Sequence, residues 1–259
     1  MLQKFSIHNQ PLSVITAYKS LITTINAHCY NITQIDSLYN QALLNSDVLI
    51  PDGISVVWAI RFLKGEKLKK IAGADLFFYE LERLQKTGGK CFFLGSTNKT
   101  LRQIKEKINR EYPNIKVEVY SPPYKAEFNK EDNRLILEHI NSFEPDVLMV
   151  GMTAPKQEKW AYQHYNQLQV GHICCIGAVF DFYAGTIKRA PKWIINLGME
   201  WFYRLIKEPR RMWHRYLIGN YKFIWAVLKE KIIAKPRPYI VIASPTKEDE
   251  AIHSNHPSL

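Results

Sequence analysis

Cysteine is scarce in this 259-residue chain, and the four present (Cys29, Cys91, Cys174, Cys175) show no CxxC spacing. Such a set builds neither a disulfide framework nor a zinc site and fits a reducing, cytoplasmic setting. No run approaches the roughly 18 apolar residues of a membrane-crossing helix, and the opening Met-Leu-Gln-Lys-Phe-Ser has no signal-peptide core. The GxxxxGK(S/T) phosphate loop, HExxH, GxSxG and a well-formed GxGxxG with a distal acid are all missing, which argues against the nucleotide, zinc-protease, serine-hydrolase and dinucleotide chemistries those motifs carry. There is no Asp-x-Asp pair to hold a divalent cation on a diphosphate. Leaving-group charge would fall to cationic side chains and helix dipoles, and neither metal nor cofactor is expected. Internal repeats and low-complexity tracts are absent as well.

Acids are scarce in one region above all. The formal charge is +11, yet Lys188–Arg237 alone carries thirteen Lys/Arg against three acids, Glu200, Glu208 and Glu230. The same segment holds Trp193, Trp201, Trp213 and Trp225, four of the six tryptophans. A basic, aromatic stretch behind a near-neutral body suits a polyanionic partner, either nucleic acid or an anionic membrane surface.

What is present upstream is an alternation of strand-like and helix-like runs. Strands are expected at Lys90–Leu94, Val117–Tyr120, Asp146–Val150 and His172–Gly177, and helices at Ile54–Leu63, Lys99–Tyr112, Glu131–Phe143 and about Lys156–Gln167. This alternation predicts an α/β fold, a Rossmann-like, mainly parallel sheet with flanking helices. From Lys192 the pattern is purely helical: one helix over about Lys192–Lys207 that stops before Pro209, then a second. Along the second, Trp213, Leu217, Ile224, Leu228 and Ile232 share a face at about 100° per residue, with Arg211, Arg215, Lys222 and Lys229 roughly opposite. The segment reads as a basic amphipathic appendage suited to a membrane interface, or as a helix packed on the sheet with its cations in water. The expected organisation is a catalytic unit over 1–187, the appendage over 188–235 and a flexible tail over 236–259.

The residues that can do chemistry lie at strand ends. Gly151-Met-Thr-Ala-Pro-Lys156-Gln157-Glu158 follows a buried strand and opens a helix, where free N–H groups favour an anion. Lys156 and Gln157 add a charge and an amide there, suited to a sugar-phosphate or nucleotide; an ordinary solvated first turn is the alternative. Asp52, in Pro51-Asp-Gly53, is placed for a general base or for a turn or helix cap. Thr24 and Asn26 present two polar groups at one strand end, or a cap. Asp181 is a sugar-hydroxyl acceptor or a turn residue. Arg204, Arg210, Arg211 and Arg215 form a guanidinium cluster suited to phosphate.

Seven ordered motifs then carry a resemblance: Thr24-Ile-Asn26, Pro51-Asp-Gly53, Gly73-Ala-Asp-Leu76, Gly151-x-x-x-Pro-Lys-Gln-Glu158, Gly177-Ala-Val-Phe-Asp-Phe-x-Ala-Gly185, Arg189-Ala-Pro191 and Glu200-Trp-x-Tyr-Arg204. Together, over about residues 10–225, the chain resembles the WecG/TagA/CpsF glycosyltransferases. The resemblance implies transfer of a sugar from a UDP-sugar to a polyprenyl-diphosphate-linked saccharide, inverting and without metal, by an enzyme peripheral on the inner face of the cytoplasmic membrane. It implies Asp52 as base with Thr24 and Asn26 beside it. Gly151, Lys156, Gln157 and Asp181 fall in the donor pocket, and Lys70, Arg204, Arg210, Arg211 and Arg215 on the acceptor phosphates. Lys70 stands where the family usually has arginine, and Ala72 where it has threonine. A nucleic-acid-binding protein and another nucleotide-sugar enzyme are the rival readings.

Overall fold

Six short segments rich in β-branched and aromatic residues form β1 (Ser20–Ile25), β2 (Val48–Pro51), β3 (Lys90–Gly95), β4 (Lys116–Tyr120), β5 (Val147–Gly151) and β6 (His172–Cys175). In a computed structural model, which describes residues 2–15 and 18–233 and the side chains there except those of Lys192, Asn196 and Arg211, they make one sheet. The strand order is β2-β1-β6-β5-β3-β4 and every pairing is parallel. The tail expected over 236–259 lies outside the described residues.

Both faces of the sheet are covered, by α1 (Ala27–Thr33), α2 (Ser37–Leu44), α3 (Ile54–Lys64), α4 (Gly73–Thr87), α5 (Asn98–Glu111), α6 (Lys130–Phe143), α7 (Lys156–Gln163) and α8 (Val179–Ala184). The central strands are therefore buried throughout, and their period of two shows as a choice of layer. Ile22, Phe93, Met149 and Cys174 pack with Leu76 and Phe77 of α4 and Leu101 and Ile104 of α5. Their neighbours Leu21, Phe92, Leu148 and Cys175 pack with Ile136 and Ile140 of α6 and Trp160 of α7.

Local chemistry starts each helix. Asn26, Asp36, Thr97 and Asn129 accept from a backbone N–H of the first turn of α1, α2, α5 and α6, contacts worth about 1 kcal/mol each. At α4 only half of a capping box forms: Asp75 Oδ2 accepts from Ala72 N at 2.8 Å, and Ala72 has no hydroxyl to reciprocate.

The C-terminal region departs from the expected two helices. Gly198 adopts a left-handed φ of 73° and splits the first into α9 (Lys192–Asn196) and α10 (Glu200–Lys207), as glycine does at helix ends. Pro209 opens α11 (Pro209–Trp213), its missing N–H costing nothing at that position. A π-helical segment, His214–Ile218, leads into α12 (Gly219–Ile233).

α12 has two apolar faces rather than one. Phe223 and Val227 are buried in a cluster with Leu2, Phe5, Tyr30, Val56 and Ile60, while Ile224, Trp225, Leu228 and Ile232 face outward, as does Leu217 of the preceding π-helical segment. The stripe seen in the sequence is thus the exposed one. Glu230, 2% exposed, fixes the inner face: its carboxylate accepts from Leu2 N at 2.7 Å and Gln3 N at 2.9 Å.

Candidate active site

Parallel strands bring all their C-terminal ends to one edge, where an open α/β sheet binds its ligands. Ile25 of β1 stands beside Pro51 of β2, so Asn26 and Asp52 follow as neighbours, and Asp52 N donates to Ile25 O at 2.9 Å. The Asp-Gly turn presses on Asn26, since a Cβ at Gly53 would lie 3.4 Å from Asn26 Cβ. Asn26 Oδ1 caps α1 by accepting from Cys29 N at 3.0 Å. Thr24 is buried as the second-last residue of β1.

Lys70 reaches this corner because Ile71 N donates to Pro51 O at 3.1 Å, returning the loop after α3 to the end of β2. The C-terminal region supplies the rest. Burial and then the charge of Glu200 push the Asp52 carboxyl up to about 6, against the pull of Lys70, Arg215 and Arg189. Burial and the same Arg215 hold His28 down at about 4, so its imidazole is neutral at physiological pH. Arg189 Nε donates to Glu200 Oε1 at 3.1 Å. One carboxylate is therefore surrounded by three cations and a second, paired carboxylate.

Two arginines hold donors in reserve. The Nε atoms of Arg204 and Arg215 are buried and donate no hydrogen bond among the described residues. Buried guanidinium N–H groups normally find acceptors, and a phosphate supplies them. Arg204 also lies 5.6 Å from the centroid of Phe182 in α8. Arg215, expected opposite the apolar stripe and within the phosphate-binding cluster, is carried in the π-helical segment, and its charge acts on both Asp52 and His28. Arg210 is exposed, and Arg211's side chain is among those not described.

The turn after β5 lies further along the same edge. A Cβ on Gly151 would fall 2.4 Å from the Phe180 ring, so only glycine lets α8 close on the strand. The buried Gln157 accepts from Met152 N at 3.2 Å and donates to Glu158 Oε1 at 2.9 Å, while its amide looks toward the Gly177 turn, with Nε2 3.7 Å from where a Gly177 Cβ would be. Beneath it, burial raises the Glu158 carboxyl to about 7. Lys156 turns away: it donates to Lys125 O and stands 3.5 Å over the Phe128 ring. Asp181 takes the turn role, receiving the Thr186 hydroxyl at its carbonyl (3.1 Å) and Oδ1 (3.4 Å).

Arg189, Glu200, His28 and Glu158 were not singled out from the sequence as site residues. Arg189, Glu200 and Glu158 each stand inside a motif quoted above, and His28 lies two positions after Asn26; those are the signals that pointed to them. A cavity of about 900 Å³ also opens at the opposite, N-terminal end of the strands, lined by Lys19, Arg83, Asp146 and His172 among others. Three of its charged or ionisable side chains are engaged within the protein: Arg83 pairs with Glu80 at 2.8 Å, His172 with Glu80 at 2.7 Å, and Lys19 Nζ donates to Leu168 O at 2.6 Å.

Comparison with known proteins gives the family. The model of the WecG/TagA/CpsF glycosyl transferase family matches residues 6–237. An N-acetylglucosaminyldiphosphoundecaprenol N-acetyl-beta-D-mannosaminyltransferase of Bacillus subtilis (strain 168) is 34% identical over 82% of this chain and 80% of its own length. The enzymes of the same name from Bacillus spizizenii and Staphylococcus aureus (strain MW2) are 31% and 28% identical, over 76% and 82% of this chain and 75% and 81% of theirs. With the whole Rossmann-like body and the arginine-bearing C-terminal helices inside the match, the chain belongs to the WecG/TagA/CpsF family of glycosyltransferases.

Proposed function

We propose that this glycosyltransferase moves N-acetylmannosamine, or a closely related hexose such as its uronic acid, from a UDP-sugar to an N-acetylglucosamine carried on polyprenyl diphosphate. The reaction inverts the anomeric centre, needs no metal, and serves bacterial cell-surface polysaccharide synthesis at the inner face of the cytoplasmic membrane. The acceptor is that named for the relatives. The observation that carries the reading is Asp52: a carboxylate at the ligand-binding edge, raised to about 6 and ringed by Lys70, Arg189 and Arg215.

In this mechanism Asp52 takes the proton of the acceptor hydroxyl as its oxygen attacks the anomeric carbon from the face opposite UDP. A base of that pKa is ionised at cytoplasmic pH and still basic enough to accept the proton. Lys70 and the idle donors of Arg204 and Arg215 meet phosphate charge in the role a divalent cation plays elsewhere. Thr24 and Asn26 flank the reacting hydroxyl. Gln157, held rigid by Met152 and Glu158, addresses the donor near Gly151 and Gly177; Lys156 and Asp181 join it only by leaving their contacts with Lys125 and Thr186, and Arg210 adds charge for the lipid diphosphate. Among the described residues no helix is long and apolar enough to cross a membrane; the outward stripe of α12 supports a peripheral hold on lipid rather than on nucleic acid.

The test incubates the full chain with a panel of UDP-sugars and a short-chain polyprenyl-diphosphate N-acetylglucosamine, with product read by mass spectrometry. Addition of one N-acetylhexosamine residue, or of its uronic acid, is expected, undiminished by a chelator. Asp52→Asn should melt like the wild type and lose roughly a hundredfold or more in turnover. Product from no UDP-sugar, loss of turnover in chelator, or a fully active Asp52→Asn each overturns the corresponding part.

A further inference from the structure

α3 belongs to the Rossmann-like body, yet it leaves two large aromatic side chains in solvent. Val56, Ala59, Ile60 and Leu63 pack inward, whereas Trp58 and Phe62, one helical turn apart, are 66% and 48% exposed. Isolated exposed aromatics are ordinary; these two are not isolated. At the start of α3, Ile54 packs against Gly198, where a Cβ would lie 3.4 Å from its Cγ2, so the junction of α9 and α10 adjoins. At its end, Lys231 of α12 donates to Leu63 O at 3.2 Å and places its ammonium 5.4 Å from the Phe62 ring centroid. α3 thus bridges the two ends of the C-terminal helical region. Those ends expose Trp193, Leu197 and Phe202 on one side and Trp225, Leu228 and Ile232 on the other.

The charge beside this face is one-sided. Arg61, Lys64, Lys67 and Lys69 are exposed around a single acid, Glu66, and Lys70 completes the run next to Asp52. Aromatic side chains rimmed by lysine and arginine are the chemistry of a helix lying in the headgroup layer of an anionic bilayer. We propose that Trp58 and Phe62 of α3 enter the membrane interface together with α9–α12, making the catalytic body itself part of the lipid-binding surface. Residues 61–71 run from this face to the end of β2, so docking through α3 fixes the Asp52 edge relative to the bilayer. The inference rests on the membrane-peripheral reading above and adds a second element to it.

The test uses the full chain and the double variant Trp58→Ser/Phe62→Ser, co-sedimented with vesicles of phosphatidylglycerol and phosphatidylcholine. Loss of two interfacial aromatics should weaken partitioning roughly tenfold or more. Melting temperature and turnover of a water-soluble short-chain acceptor should not change, and Trp58→Phe should restore most of the binding. Wild-type and double variant partitioning alike overturns the role of α3 while leaving the peripheral reading intact. A wild type that ignores the vesicles overturns both. A variant that binds vesicles normally but loses self-association in sedimentation equilibrium, or loses binding to RNA, overturns the proposal in favour of a second copy or a nucleic acid.

Discussion

The environment of Asp52 makes a quantitative claim about pH. Its folded value of about 6 against an ordinary 3.8 amounts to roughly 3 kcal/mol of discrimination against the carboxylate. If Asp52 is the base, kcat/KM for the acceptor, measured at saturating donor, rises with pH to a plateau with its midpoint near 6, because kcat/KM reports the free enzyme. At pH 5 about one tenth of the plateau should remain; an aspartate titrating at its ordinary value would leave more than nine tenths. Glu200→Gln supplies the sharper perturbation. It removes a negative charge that raises Asp52, and it also releases Arg189 from its 3.1 Å bond to Glu200, so both consequences favour the ionised form. The midpoint should therefore fall, though not as far as 3.8, since burial is the larger cause of the shift. Lys70→Met should move it the other way. An acid limb that stays put in Glu200→Gln, or moves to higher pH, refutes the assignment of that limb to Asp52.

Three further outcomes concern stability. Glu158 is neutral in the folded state up to about pH 7 but ionises near 4.5 when unfolded. The native protein therefore loses about 3 kcal/mol as pH rises from about 4.5 to about 7 and none above that; in urea titrations Glu158→Gln should gain on the wild type by that amount between the two pH values, and a constant difference would refute the buried neutral carboxyl. Glu230→Ala strands two backbone N–H groups, of Leu2 and Gln3, and should cost about 3 kcal/mol in the same assay; a cost below about 1 kcal/mol would mean water serves those groups equally well. Gly151→Ala drives a methyl into the Phe180 ring and should lower stability by about 1–3 kcal/mol, read as a drop in melting temperature; an unchanged Tm would show that α8 moves freely.

Much of the sheet was legible because a parallel strand buried on both faces has only one kind of sequence. Cys91-Phe-Phe-Leu94 and Val147-Leu-Met-Val150 are continuous apolar runs that end in glycine at the ligand edge. The C-terminal helices were harder to read. Periodicity reveals a stripe at Ile224, Leu228 and Ile232 but not which of two apolar faces meets the body, and Phe223 with Val227 took that role. The left-handed bend at Gly198 interrupts a pattern that otherwise continues at helical spacing from Lys192 to Lys207. Within the site, Asp52 and Asn26 were visible from local turn chemistry. The approach of Arg215, Glu200 and Arg189 to Asp52 depends on the chain after α8 folding back against α1 and α3, and no short window encodes that. Lys156 shows the converse: its position in the motif is local, while the carbonyl of Lys125 and the ring of Phe128 that draw it aside lie about thirty residues earlier.

The tie between Glu230 and the backbone of Leu2 and Gln3 joins positions separated by 228 and 227 residues, and Phe223 shares its cluster with Leu2 and Phe5. Loop closure over such a span adds only about (3/2)RT ln n to the entropy cost; its effect is on timing. During synthesis the strands and their helices can pair as they leave the ribosome, domains forming from the N-terminal side, but this cluster stays open until residue 230 has emerged. Until then Leu2 N and Gln3 N lack the Glu230 carboxylate, and α12 has no fixed place on the body. Arg215, carried by the segment that leads into α12, thus reaches Asp52 only after the sheet edge bearing that carboxylate has been built.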